Sequence, residues 1–201
     1  LSKRLSKALA RSMAHTKQVK AANVYNRAFN NSYTGGDGLE LCSTAHTMQD
    51  GNTWANEPAT SADLSETSLE AAMIAIAGFT DDRSIPIAAQ ARTLHIPRQL
   101  VFVAERILKS PLRSGTADND LNALATTGSV PGGFHVNHRF TDADAWFLRT
   151  DTPDSMKMFD RVGMDTKMEG DFETGNVRYK ARERYSFGWS DPRGVYGSEG
   201  A

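Results

Sequence analysis

The side chains from which a catalytic or metal site would have to be built are few: five histidines, one cysteine and 24 aspartates and glutamates. Cys42 and His46 stand four apart, a spacing open to a thiol–imidazole pair or to two metal ligands. His135 and His138 add two imidazoles, but in an extended segment they fall on opposite faces and do not converge on one ion. Asp142 and Asp144 follow them as ordinary loop carboxylates, as do Asp118 and Asp120 earlier in the chain. There is no Gly-x-Ser-x-Gly nucleophile elbow, and Cys42 sits among serine and threonine without a clear base. Gly35-Gly36-Asp37-Gly38 has the look of a phosphate loop, yet it follows a helical stretch and lacks the Gly-Lys-Ser/Thr ending. It reads as a turn. The expectation is no enzyme, no metal and no cofactor.

Cations give a stronger pattern. Lys3, Arg4, Lys7, Arg11, Lys17, Lys20 and Arg27 all precede the first acid, Asp37. Near the other end, Arg178, Lys180, Arg182 and Arg184 alternate with apolar residues and so share one strand face. Such rows suit phosphates, although aromatic residues do not interleave with them as a stacking platform requires. They equally suit a protein–protein seam, where arginine is enriched, or a solvated face with cross-strand ion pairs. Arg11, Lys17, Arg27, Arg178, Lys180, Arg182 and Arg184 are therefore the candidate surface residues, facing either a subunit or a genome.

The elements that carry these rows are unusually long. Leu1 to Asn30 contains no Gly and no Pro, and Leu1, Leu5, Leu9, Ser12/Met13, Thr16, Val19, Ala22/Asn23 and Phe29 recur at helical steps. One helix over 1–30 is expected to lie across a sheet. Val177 to Trp189 alternates for a dozen residues, with Val177, Tyr179, Ala181, Tyr185, Phe187 and Trp189 on the apolar face and Glu183 as its exception. Between them, Ser65 reads as an N-cap with Leu64 stapled on Leu69, and Gly78 closes that helix. Thr93–Ile96 reads as a strand, and Pro97 opens a helix that Pro111 ends. Phe134–Val136, Ala145–Leu148 and Met156–Phe159 read as further short strands.

The 201 residues hold 39% hydrophobic side chains and 23 Lys+Arg, for a formal charge of −1, so a core can form and bulk charge selects no partner. A single cysteine excludes an intrachain disulfide framework. No run approaches the ~20 apolar residues of a membrane span, and no apolar signal segment opens the chain. The expectation is a soluble α+β protein without a membrane partner. A start at Leu1 rather than Met reads as processing or truncation. Long helix and long strand pair into one elongated domain, 1–61 with 160–201, and residues 62–159 form a compact domain inserted between them.

The run Asp171-Phe172-Glu173-Thr174-Gly175-Asn176 through Trp189-Ser190-Asp191-Pro192-Arg193-Gly194 resembles the C-terminus of tailed-bacteriophage major capsid proteins, above all the Mu-like major head subunits. Leu41–His46, Leu64–Ala72 and Asp142–Leu148 match in the same order, so the likeness spans most of the chain. The resemblance implies the Hong Kong-type capsid fold: a peripheral domain with a spine helix on a long-stranded sheet, and an axial domain at the centre of hexamers and pentamers. It implies a structural subunit that assembles with itself into an icosahedral virion capsid in the bacterial host cytoplasm. Packaged double-stranded DNA would be contacted non-specifically, and scaffold, portal or decoration proteins are possible partners. Loops such as Thr116–Pro131 would approach the symmetry axis. The family's N-terminal arm and extended loop are expected to be missing ahead of the spine helix. Some relatives weld subunits through a lysine–asparagine bond promoted by a buried glutamate; Asn176 matches the asparagine roughly, but Arg182 takes the glutamate's place, so no cross-link is expected. The alternative is a nucleic-acid-binding protein that uses helix 1–30 and strand face 178–184.

Overall fold

The computed structural model describes residues 2–113 and 120–201. Residues 2–26 form the expected helix, α1 (Ser2–Asn26), closed by turns at 27–29. At ~1.5 Å per residue it is roughly 38 Å long. Its buried stripe is the expected one in part: Leu9, Met13, Val19 and Ala22 turn inward. Leu5 is 57% exposed and Ser12 and Thr16 face solvent, whereas Ser6, Ala10, Lys17 and Ala21 turn inward. Lys17 turns inward because the surface that the helix packs on offers it the carboxylates of Asp160 and Glu183.

Two very short strands, β1 (His46–Thr47) and β2 (Thr53–Trp54), pair antiparallel within the long connection. Helix α2 (Glu66–Ala77) begins at Ser65 as expected: its hydroxyl accepts from the Ser68 N–H while the Ser68 hydroxyl accepts from the Ser65 N–H. Leu64 and Leu69 are both buried in one cluster. Gly78 ends the helix at φ −85°, so its left-handed freedom goes unused and its N–H simply reaches Ile74 and Ala75 oxygens.

The central sheet contains β3 (Ala91–Ile96), β4 (Phe134–Val136), β5 (Trp146–Thr150) and β8 (Val195–Ser198), ordered β4-β3-β5-β8. β3 and β4 run parallel, and the crossover between them carries α3 (Val101–Lys109) and α4 (Ala123–Thr127). Leu94, Ile96, Trp146 and Leu148 from this sheet meet Leu69 and Ile76 of α2 in the main core. The C-terminal β8 thus hydrogen-bonds to β5 across the boundary drawn at residue 160. Of the loop expected over 116–131, residues 116–119 lie outside the described residues.

The remaining strands form a separate two-stranded ribbon. β6 (Met156–Gly170) runs eleven residues past the expected end at Phe159 and pairs along its length with β7 (Val177–Trp189). Polar residues dominate that extension because much of it faces water, which hides it from a search for apolar runs. β7 has the expected limits, and Tyr179, Ala181, Glu183, Tyr185 and Phe187 are half-buried on alternate positions while Arg178, Lys180, Arg182 and Arg184 are exposed. α1 packs on the first of these faces.

Candidate functional site

Every candidate cation has a definite place in this helix-and-ribbon layer, and they do not form one surface. Lys17 reaches into the layer, with Nζ 3.4 Å from Asp160 Oδ2, 3.9 Å from Glu183 Oε2 and 5.0 Å from the Tyr185 ring centre. The Glu183 side chain is 8% exposed, so the exception in the apolar face is the counter-ion of the exception in the helix stripe. Each explains the other. Arg11 is exposed, about 120° around the helix from Lys17. The Arg27 guanidinium lies over the Tyr33 ring at 4.1 Å.

On the ribbon, the register sets Arg178 opposite Glu169, Lys180 opposite Lys167, Arg182 opposite Asp165 and Arg184 opposite Val162. These pairs share the face turned away from α1. Arg178 bonds Asp171 at the hairpin end, Nη2 to Oδ2 2.8 Å. Among the described residues, no carboxylate lies within 4.0 Å of the charged ends of Lys180, Arg182 or Arg184. Arg4, Lys7, Arg11 and Lys20 of α1 are exposed, as are the four cations on the face of β7 turned away from α1, so the basic rows seen in the sequence do not join into one surface, and Lys17 belongs to neither.

A polar knot fastens the long connection after α1 to the corner that leads into β8, and sequence reasoning missed it. Asn56 is fully buried. Its amide NH2 donates to the carbonyls of Leu41 (2.7 Å), Pro192 (3.1 Å) and Val195 (3.0 Å), and its Oδ1 accepts from the Ser43 N–H (2.8 Å). His46 completes the knot, with Nε2 3.1 Å from Asn56 Oδ1 and Nδ1 2.6 Å from Asp37 Oδ2. Both ring nitrogens are engaged away from Cys42, which is buried and whose thiol burial pushes well above its usual range. That pair is a piece of the core, not a nucleophile and its base.

Arg193 makes a second joint. Its side chain is 10% exposed, donates from Nε to the Thr80 carbonyl (2.6 Å) and from Nη2 to Asp82 (2.8 Å), and stacks 4.7 Å from the Trp54 ring centre. Asp191 caps the turn by accepting from the Arg193 N–H, and Gly194 lies so close to Ser155 that any Cβ there would overlap it. The motif Asp191-Pro192-Arg193-Gly194 is the corner at which the ribbon enters the central sheet.

His95 lies between α1 and that sheet. Its ring stacks on Tyr25 at 5.6 Å and meets His135, on the neighbouring strand, at 5.5 Å. Burial first, then His135 and Arg149, lowers its pKa to about 4. Among the described residues no three His, Cys, Asp or Glu side chains are grouped to hold a metal ion, and no helix is long and apolar enough to cross a membrane.

The profile of the phage capsid protein family matches residues 1–198. The chain belongs to the phage capsid protein family. That family is structural, not enzymatic, and its members belong to the capsid of the virion. Among solved structures, the chain is similar to a phage-related protein from Bordetella bronchiseptica RB50, with 14% identity, TM-score 0.55, and 98% of this chain and 64% of that one covered. It is also similar, over less of its length, to a virus-like particle from Pyrococcus furiosus (14% identity, TM-score 0.38, 54% and 42% covered). A third likeness is to a structure from Mycobacterium phage Che8 (15% identity, TM-score 0.44, 70% and 52% covered). The chain spans less than two thirds of each of those chains. No curated protein matches it.

Proposed function

We propose that this capsid-family chain is the major head subunit, of the Mu-like type with a Hong Kong-type fold, and that hexamers and pentamers of it close into an icosahedral shell around double-stranded DNA. The observation that carries the reading is α1 lying along the β6–β7 ribbon. That layer is about 40 Å long, buries little of itself, and leaves long charged surfaces to neighbours. In this reading residues 1–61 with 160–201 are the peripheral domain, residues 62–159 the axial domain, and assembly takes place in the host cytoplasm, with scaffold, portal or decoration proteins as further partners.

Electron microscopy of the purified protein tests it: shells, tubes or ring-shaped capsomers are expected, and a monomer at every concentration and salt condition would sink it. Salt-sensitive complexes with DNA and no particles would favour the nucleic-acid-binding alternative, which the outward cations of α1 and β7 support. Particles should also run as a single band on a denaturing gel. Glu183, the only acid on the inner face of β7, already faces Lys17, and Asn176 is exposed beside Thr174 at the far end of the ribbon. A ladder of covalent oligomers would contradict this.

A further inference from the structure

The outer face of the β6–β7 ribbon has nothing over it among the described residues, although a lone two-stranded ribbon is marginal in water. Lys180, Arg182 and Arg184 stand along it at about 7 Å intervals, exposed and without a carboxylate within 4.0 Å. The opposite charge lies elsewhere on the same chain. Residues 1–27 and 156–189, which make α1 and the ribbon, hold 14 Lys and Arg against 6 Asp and Glu. The rest holds 9 against 18. A chain that is nearly neutral as a whole is thus divided into a basic layer and an acidic body.

On that body a cavity of about 470 Å³ opens beside the C-terminal end of α1. Phe29, Phe140 and Phe147 line it with their rings 5.6 Å apart in successive pairs, and Glu40, Asp142 and Glu199 share its wall. No cation lies within 4.0 Å of those three carboxylates among the described residues. Nearby, burial and then Glu40 and Glu199 hold the Glu57 carboxyl above the usual carboxylate range, as expected where negative charge accumulates unneutralised. Aromatic rings beneath carboxylates suit an arginine or lysine end, which gains from both.

We propose that the cationic outer face of the ribbon docks on the aromatic, carboxylate-walled cavity of a second copy of this chain, head to tail. The inference rests on the shell-subunit reading and names the contact within it. Two different patches meet, so the contact is heterologous and can repeat around a ring. A DNA duplex would neutralise the ribbon but leave the net negative charge of the body, 9 cations against 18 acids, uncompensated. A second copy neutralises both.

The test is charge exchange, read by sedimentation velocity on the full chain freed of nucleic acid, with thermal melting to confirm folding. Arg182→Glu with Arg184→Glu should weaken association by about a hundredfold, because like charges then face each other. Glu40→Lys with Glu199→Lys should do the same, and it leaves intact Asp142, whose carboxylate caps its own turn. All four changes in one chain should bring association back to within about tenfold of the parent. If the reversed chains fold poorly, Arg182→Gln with Arg184→Gln serves instead. That neutral variant should lose most of the parent's weakening in high salt. Reversals that associate like the parent, or a fourfold exchange no better than either half, would overturn the docking while any particles still seen keep the shell reading. Association present before nucleic acid is removed and lost once it is gone would assign the face to DNA and overturn the docking too. A parent that never associates would remove both readings.

Discussion

The central sheet and the helix-and-ribbon layer are held by different physics. In the sheet, Leu94, Ile96, Trp146 and Leu148 are almost completely buried, and polar groups that enter the core are satisfied: the Trp146 indole N–H donates to the Ala62 carbonyl at 3.0 Å. In the layer, Met164 and Met168 remain more than half exposed, Phe172 is fully exposed, and the one inward cation is held by the Glu183 carboxylate. Burying apolar area stabilises the first within a single chain. The second gains less from its own chain and leaves more of its surface to the neighbours of the proposed shell. The contrast teaches where substitutions should register: as loss of subunit folding in the sheet, and as loss of assembly in the layer.

Asn56→Ala should have the largest effect, because it leaves the Ser43 N–H and the carbonyls of Leu41, Pro192 and Val195 short of partners inside the core. A loss of about 3 kcal/mol is expected, measured as a lower denaturant midpoint with unchanged slope. A loss under about 1 kcal/mol would mean that the knot is not what fastens the connection after α1 to the corner at 192–195.

Acid should attack the boundary between the two regions. Unfolded, His95 titrates near 6.5; folded, at about 4. Between those values the unfolded chain binds the proton and the folded one does not, so stability is constant in this respect above 6.5 and falls as the pH drops toward 4. The full loss is on the order of 3 kcal/mol. His95→Gln should flatten that part of the pH–stability curve, and an unchanged slope would show that another group carries it.

Within the layer, Glu183→Gln should cost about 1 kcal/mol or somewhat more, since Lys17 keeps Asp160 at 3.4 Å. Amide exchange should rise in α1 and β7 and stay the same in β3 and β5; an even rise would deny that the regions open separately. The smallest effect on the subunit belongs to Arg182→Ala with Arg184→Ala, within about 0.5 kcal/mol by thermal melting. The same pair should make assembled particles more sensitive to heat or denaturant, and particles of full stability would remove these arginines from the interface.

Sequence periodicity alone determined the long helix, the limits of β7, the exposed row Arg178, Lys180, Arg182 and Arg184, and the Ser65 cap, because each is set by neighbours within a few residues along the chain. The terminal motif was equally legible as a likeness, though not as a mechanism. Tertiary structure decided the rest. It turned Lys17 inward to Glu183, and it kept the two basic rows from joining into one surface. It carried β6 on to Gly170 as the partner of β7, although the sequence reading stopped at Phe159. It also gave Asn56 its place, through carbonyls 136 and 139 residues away. A buried amide or a lone inward charge has no period to reveal it: its meaning lies in a partner that only the folded chain brings within 3 or 4 Å.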